Sequence, residues 1–290
     1  MKIIPGPASK ELGERIAHLL KVESISVISK NFPDGESYVR LEGSLEDEDI
    51  VIVQTTSPYQ NTRLVELALL ADAAKRNGAR KVTAVSPYLA YARQDKIFLK
   101  GEPLSIELVA KMLKTAGVDE MLTVNVHQAE TLNKFPFPAS QLSAIPLLAQ
   151  YFKTKGYEKA FALAPDKGAV HIAEEAGKIL EGGHGHLDKQ RDRYTGQVNI
   201  EKQEFNVRGE TAIVFDDIIS SGGTIVEAAR ILRQLGAKQV LVACVHPLMI
   251  GDAEKKILDA GVEEIVGTDS VPSNVGKVSL APLIAEHLSG

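Results

Sequence analysis

Short apolar runs alternate with stretches whose apolar residues recur every three or four positions, almost from one end of the chain to the other. Runs at 24–29, 50–55, 81–86, 121–126, 159–163, 211–215 and 239–245 read as strands. Amphipathic stretches at 10–20, 63–76, 106–115, 145–155, 170–180, 226–235 and 253–260 read as helices. Strands apolar on both faces and separated by helices imply α/β architecture, with mostly parallel sheets flanked by helices. Ligands of such sheets collect at the carboxyl ends of the strands.

The pattern occurs twice. The helix at 63–76 runs into Asn77-Gly78-Ala79-Arg80-Lys81-Val82, and the helix at 226–235 into Gly236-Ala237-Lys238-Gln239-Val240. Each ends at a glycine suited to a helix C-cap and then enters a strand. Two related domains are expected, 1–141 and 142–290. One stretch departs from the alternation: Asn31-Phe32-Pro33-Asp34-Gly35-Glu36-Ser37-Tyr38. Its Asp34-Gly35 is hairpin-turn chemistry, so a flap should project from the N-terminal half.

Composition narrows the class. A chain of 290 residues, 44% hydrophobic and 24% charged, suits two soluble domains. The net charge of −5 gives no sign of a nucleic-acid binder. Cys244, the single cysteine, lies in an apolar run, which predicts a buried thiol and fits a reducing compartment. No run reaches the length of a membrane span, and Met1-Lys2-Ile3-Ile4-Pro5 lacks a signal-peptide core. The expected location is cytoplasmic, with neither nucleic acid nor membrane as partner.

The chemistry concentrates where Ile213-Val214-Phe215 meets Asp216-Asp217-Ile218-Ile219-Ser220-Ser221-Gly222-Gly223-Thr224. An apolar strand ends in two carboxylates, followed by a small-residue loop and a helix. Loop N–H groups, hydroxyls and the helix dipole suit a phosphate, and the acids suit sugar hydroxyls. The alternative is a strand end whose acids merely cap the next helix. The stretch resembles the ribose-phosphate motif of phosphoribosyltransferases and phosphoribosyl pyrophosphate (PRPP) synthetases. Phe32-Pro33-Asp34-Gly35-Glu36, Tyr91-Ala92-Arg93-Gln94-Asp95, Val126-His127-Gln128-Ala129, Ala164-Pro165-Asp166-Lys167-Gly168 and Asp188-Lys189-Gln190-Arg191 follow the PRPP synthetase order. On these six motifs the chain is identified as similar to the ribose-phosphate pyrophosphokinases.

That resemblance implies two phosphoribosyltransferase-like domains and transfer of a diphosphoryl group from ATP to ribose 5-phosphate, dependent on Mg²⁺. It assigns catalysis to Lys189 and Arg191, on a mobile segment at 182–196, and metal ligation to His127 and Asp166. On chemistry alone, His127 suits a phosphate contact, or a place behind the metal's own ligands, as readily as direct ligation. ATP would be held by Arg93, Gln94 and Asp95 with Phe32, Asp34 and Glu36 of the flap. Ribose 5-phosphate would be held by Arg191, Asp216, Asp217, Ser220, Ser221, Gly222, Gly223 and Thr224. In relatives the flap reaches a neighbouring subunit, so a homo-oligomer, at least a dimer, is implied, and exposed Ile97, Phe98 and Leu99 could form a subunit contact. Family members usually carry Asp where this chain has Asn125, Arg where it has Gln190, and Asp-Thr where it has Ser220-Ser221. The stretch after Gln94 lacks the basic run of ADP-inhibited relatives, which predicts weak ADP inhibition. His184 and His186, set among glycines with no third ligand, read as strand residues. The competing readings are a phosphoribosyltransferase, a catalytically inactive regulatory homologue and a sugar-phosphate-sensing regulator.

Overall fold

The computed structural model describes residues 1–187, 189–191, 198–200 and 205–290, without the side chains of 189–191 and 198–200. The chain forms two compact units. The first comprises Met1–Ser143, Asp269–Pro272 and Ser279–Gly290; the second comprises Ala144–Thr268 and Ser273–Val278.

In the first unit, β1 (Lys2–Pro5) and α1 (Lys10–Leu20) are followed by β2 (Ser26–Asn31), β3 (Ser37–Glu42), β4 (Asp49–Val53) and α2 (Gln60–Arg76). Then come β5 (Lys81–Ser86), α3 (Ser105–Thr115), β6 (Glu120–Val124) and β7 (Ala139–Leu142). The sheet runs β1-β4-β5-β6-β7 with every pair parallel. Its centre is apolar because Ile50, Val51, Ile52, Val53, Val82, Ala84 and Val85 are all buried. Helix α1 buries Leu12, Gly13, Ile16 and Ala17, positions one turn apart on one stripe. The run expected as a strand at 24–29 meets this sheet only at its start, in a single parallel bridge between Ser24 and Ile3 of β1. Shifted to β2, it pairs antiparallel with β3, Asn31 opposite Ser37. Its side chains are mostly exposed or half-buried, which suits a projecting ribbon rather than a covered strand.

The second unit contains α4 (Ile145–Thr154), β8 (Phe161–Ala164), α5 (Val170–Leu180), β9 (His184–His186), β10 (Lys189–Arg191) and β11 (Val198–Ile200). It continues with β12 (Thr211–Ile219), α6 (Gly223–Gln234), β13 (Gln239–Pro247), α7 (Ala253–Asp259), β14 (Glu264–Thr268) and β15 (Gly276–Val278). Its six-stranded parallel sheet has the order β15-β14-β13-β12-β8-β9. Val214, Val240 and Val242 pack with Ile225, Ala228, Ala229 and Leu232 of α6 in one buried cluster. Strands β10 and β11 form a separate antiparallel pair, Lys189 opposite Ile200.

Helix α8 (Ala281–Ser289) belongs to the first unit, not the second, so the units do not follow a single cut in the chain. It packs on α1. Asp269 fixes its start, accepting from the Leu280 N–H and the Ser279 hydroxyl at 2.7 Å each, while Arg15 of α1 reaches the same carboxylate at 3.3 Å. Among the described residues, no helix is long and apolar enough to cross a membrane.

Candidate active site

The apolar run at 211–215 does not end at the acids. Strand β12 continues to Ile219, so Asp216 and Asp217 lie within it, side by side at its carboxyl end. Asp216 stands opposite Cys244 of β13. Burial raises the Asp216 pKa well above the usual carboxylate value, and the charges of Asp217 and Asp166 add to the effect. Its carboxylate also accepts from the Asp217 N–H at 2.9 Å. The buried Cys244 thiol donates to the Asp217 carbonyl at 3.8 Å; burial, then the Asp216 charge, push its pKa up, so it packs as a neutral thiol.

Beyond the acids, Ser220 to Gly222 form the turn into α6. Gly222 is the N-cap, with φ 79°, and no side chain caps the helix. Glycine is required there twice over, because a Cβ would also stand 3.0 Å from Ile257 Cδ1 of α7. Gly223, by contrast, faces open space. The Ser220 carbonyl accepts from the Ile250 N–H at 3.0 Å, tying the turn to the segment after β13. Ser221, Gly223 and Thr224 are exposed. The result is a helix N-terminus with its dipole and first-turn N–H groups open, next to two acids.

Asp166 follows β8, the strand beside β12, and is exposed. It caps a 3₁₀ turn, accepting from the Gly168 N–H at 2.8 Å. Burial thus dominates the raised Asp216 pKa, and the charges of Asp217 and Asp166, at the ends of adjacent strands, add to it. The exposed Asp166 carboxylate is the kind of hard oxygen donor Mg²⁺ takes, the remaining places being left to waters and substrate phosphate oxygens. Among the described residues, no three His, Cys, Asp or Glu side chains by themselves form a metal-binding group. Lys189 and Arg191 lie on β10, but their side chains fall outside the described residues, as do Asp188 and residues 192–197 of the segment expected to be mobile.

In the first unit the turn between β2 and β3 places Phe32, Asp34 and Glu36 at its exposed tip. The Phe32 N–H donates to the Glu36 carbonyl at 2.8 Å, and Asp34 accepts from the Glu36 N–H at 3.1 Å. Phe32 meets Tyr38 edge-on at 5.9 Å, with the Lys30 ammonium 5.0 Å from its ring centre. The segment Arg93–Asp95, expected to hold ATP, lies on the loop after β5. Arg93 is exposed, Gln94 accepts from the Ser105 hydroxyl at 2.6 Å, and the buried Asp95 accepts at its carbonyl from Lys134. His127 is exposed just beyond β6. Asn125 before it has φ 38°, a conformation Asn adopts more easily than most residues, and its N–H donates to the Leu142 carbonyl at 2.9 Å.

The candidate residues thus fall into two groups. The second unit brings Asp166, Asp216, Asp217 and the 220–224 turn together; the first holds the Phe32 tip, Arg93–Gln94–Asp95 and His127. Sequence reasoning missed Thr55, Thr56, Ser105 and Lys134, which hold the Arg93 loop. The hydroxyls of Thr55 and Thr56 and the Lys134 ammonium act on backbone groups of distant segments, and the Ser105 hydroxyl on the Gln94 side chain, so no local pattern marks them.

A family model described as the N-terminal domain of ribose phosphate pyrophosphokinase matches residues 1–117, and one described as the phosphoribosyl synthetase-associated domain matches residues 200–285. Ribose-phosphate pyrophosphokinase of Methanobrevibacter smithii is 40% identical over 99% of both chains, and that of Methanopyrus kandleri 41% over 97% of both. The crystal structure of phosphoribosylpyrophosphate synthetase from Mycobacterium smegmatis superposes with a TM-score of 0.89 and 31% identity, covering 100% of this chain and 97% of that one. With its motifs in family order and its fold matched from end to end, the chain belongs to the ribose-phosphate pyrophosphokinase family, enzymes that transfer diphosphate groups.

Proposed function

We propose that this chain moves the β,γ-diphosphoryl group of ATP to the anomeric hydroxyl of ribose 5-phosphate, releasing AMP and forming PRPP. The observation that carries this reading is the end of β12: two acids followed by an uncapped helix start, in a chain of this family. The 5-phosphate sits on the exposed turn from Ser220 to Thr224, where open N–H groups and the helix dipole favour an anion. Asp216 and Asp217 accept hydrogen bonds from the sugar's 2- and 3-hydroxyls and so orient the anomeric oxygen.

The nucleotide is held by Arg93, Gln94 and Asp95, with Phe32 stacking on the base and Asp34 and Glu36 accepting from it. Lys189 places a compact positive charge on the transferring group, and Arg191 forks two donors onto its oxygens. When bound, Mg²⁺ would neutralise the triphosphate, and Asp166 and His127 would hold it. The exposed hairpin tip supports a homo-oligomer, at least a dimer, in which each tip serves a neighbouring copy. The buried, neutral Cys244 supports a reducing, cytoplasmic setting.

The test is an assay of the purified chain with ATP, Mg²⁺ and ribose 5-phosphate, following AMP and PRPP together. Equal amounts of both, dependent on sugar and metal, are expected. Binding of both substrates without AMP would instead mark an inactive homologue, and consumption of PRPP with a free base would mark a phosphoribosyltransferase. Lys189→Ala should lower turnover at least ~100-fold, the scale for one oriented transition-state donor, with little change in ribose 5-phosphate affinity. A fall under about tenfold would remove Lys189 from the centre of the chemistry.

A further inference from the structure

The loop carrying Arg93, Gln94 and Asp95 is held from below by the hydroxyls of Thr55, Thr56 and Ser86, of which Thr56 makes the shortest bonds. Thr56, fully buried, accepts from the Ala90 N–H at 2.7 Å through Oγ1 and donates from the same oxygen to the Tyr88 carbonyl at 2.7 Å. Its own N–H donates to that carbonyl at 3.0 Å, and the Ser86 hydroxyl donates to it at 2.9 Å. Tyr88, Leu89 and Ala90 are all buried, so these hydrogen bonds face no competition from water. The chain then turns outward: Tyr91 has φ 66°, and the Gln94 N–H donates to its carbonyl at 3.1 Å. Ser105 and Lys134 hold the far end, at Gln94 and Asp95. Arg93, between the two anchors, reaches solvent.

The place of Thr56 in the repeat supports the same reading. Asp49 opposite Lys81 opens the β4/β5 ladder as Thr211 opposite Gln239 opens the β12/β13 ladder. Counting forward from those pairs, Gln54, Thr55 and Thr56 correspond to Asp216, Asp217 and Ile218. Where β12 of the second unit runs on to Ile219, the first unit leaves its strand at Val53, turning Thr55 and Thr56 onto the Tyr88–Ala90 segment and Gln54 onto Glu66 and Ala8.

We propose that Thr56 is a positioning residue for the nucleotide: it does not touch ATP, but its hydroxyl sets the Tyr88–Ala90 segment from which Arg93 and Gln94 are presented. This rests on the reading that Arg93 and Gln94 hold ATP. Thr56→Val keeps the shape but leaves the Ala90 N–H buried without its acceptor; Thr56→Ser keeps the hydroxyl. In the full-length enzyme, Thr56→Val should raise the KM for ATP about tenfold, the scale of one buried hydrogen bond, while the KM for ribose 5-phosphate stays within about twofold. Thr56→Ser should restore the wild-type value.

Arg93→Ala, run alongside, separates the two claims. Unchanged ATP KM in Arg93→Ala would overturn the nucleotide assignment itself. A raised ATP KM in Arg93→Ala but not in Thr56→Val would overturn the positioning role alone. Equal rises in both substrates' KM values, or failure of Thr56→Ser to rescue, would mark Thr56 as merely structural and also overturn it. Should Thr56→Val fail to fold, Ser105→Ala, which frees only the Gln94 side chain, must show the same ATP-selective rise for the anchored-loop proposal to stand.

Discussion

In the second unit, β12 runs into Asp216 and Asp217 and then into an exposed turn whose helix has no side-chain cap. In the first unit, the matching strand ends at Val53, and the next three side chains, Gln54, Thr55 and Thr56, are buried. There the Gln54 amide donates to Glu66 at 2.9 Å and its oxygen accepts from the Ala8 N–H at 3.0 Å, while Arg63 donates to Glu66 at 2.8 Å. One scaffold thus ends in two ways. The first unit turns its strand-end side chains onto internal partners, although the Arg63 Nε stays buried without one among the described residues. The second leaves first-turn N–H groups open and buries Asp216 beside other carboxylates, so that it resists ionising. A site ready for a ligand is, locally, an unsatisfied one.

The sharpest test of the closed version is Glu66. Glu66→Ala would strand Arg63 beside the buried Gln54 and should cost about 3 kcal/mol, seen as a lowered Tm. A loss below roughly 0.5 kcal/mol would show that the first unit's network is not what holds its strand end. Next is Gly222→Val, which puts a branched Cβ at positive φ against Ile257 and should weaken ribose 5-phosphate at least ~100-fold. Unchanged sugar affinity would mean that the open turn is not the sugar-phosphate site.

A smaller effect of opposite sign is expected at Asp216. Its folded pKa is raised, so the native state binds the extra proton, and stability falls as pH rises from the unfolded carboxylate value through the folded one. Asp216→Asn should therefore raise the Tm of the ligand-free protein at pH 7 by about 3 °C, a gain that fades toward pH 4. A pH-independent gain would assign the effect to packing instead of charge. Smallest of all is Tyr59→Gly. Tyr59, the N-cap of α2, has φ 65°, as Gly222 does at α6 with φ 79°, but it is exposed. Relief of strain and loss of chain stiffness should nearly cancel, within about 0.5 kcal/mol. A large loss would show that this cap has kept a role of its own.

Much of this was legible in the sequence. Helices α1 and α5 match the apolar periodicity to the residue, because each keeps one clean stripe from first turn to last. The hairpin was announced by Asp34-Gly35, and Gly35 does take φ 96°. Strand β12 was read short, since adjacent carboxylates look like a strand's end; parallel pairing to β13 through Ile219 carries the backbone past them. Strands β1, β14 and β15 were missed because three to five residues show no period. Of the site, the motif-bearing residues were visible. Thr56 was not, because its partners, Tyr88 and Ala90, become neighbours only through the pairing of β4 with β5.

The placement of α8 bears on how the chain is made. It passes between the units four times, at 143/144, 268/269, 272/273 and 278/279. As the chain leaves the ribosome, the first unit's sheet emerges early yet waits for Asp269 and for α8, which is made after the second unit's strands, before α1 gains its partner. The usual order, in which the N-terminal domain closes first, is therefore unavailable, and the first unit closes only after the second has been made. A ribosome stalled before α8 would hold a finished second unit and a first unit still open.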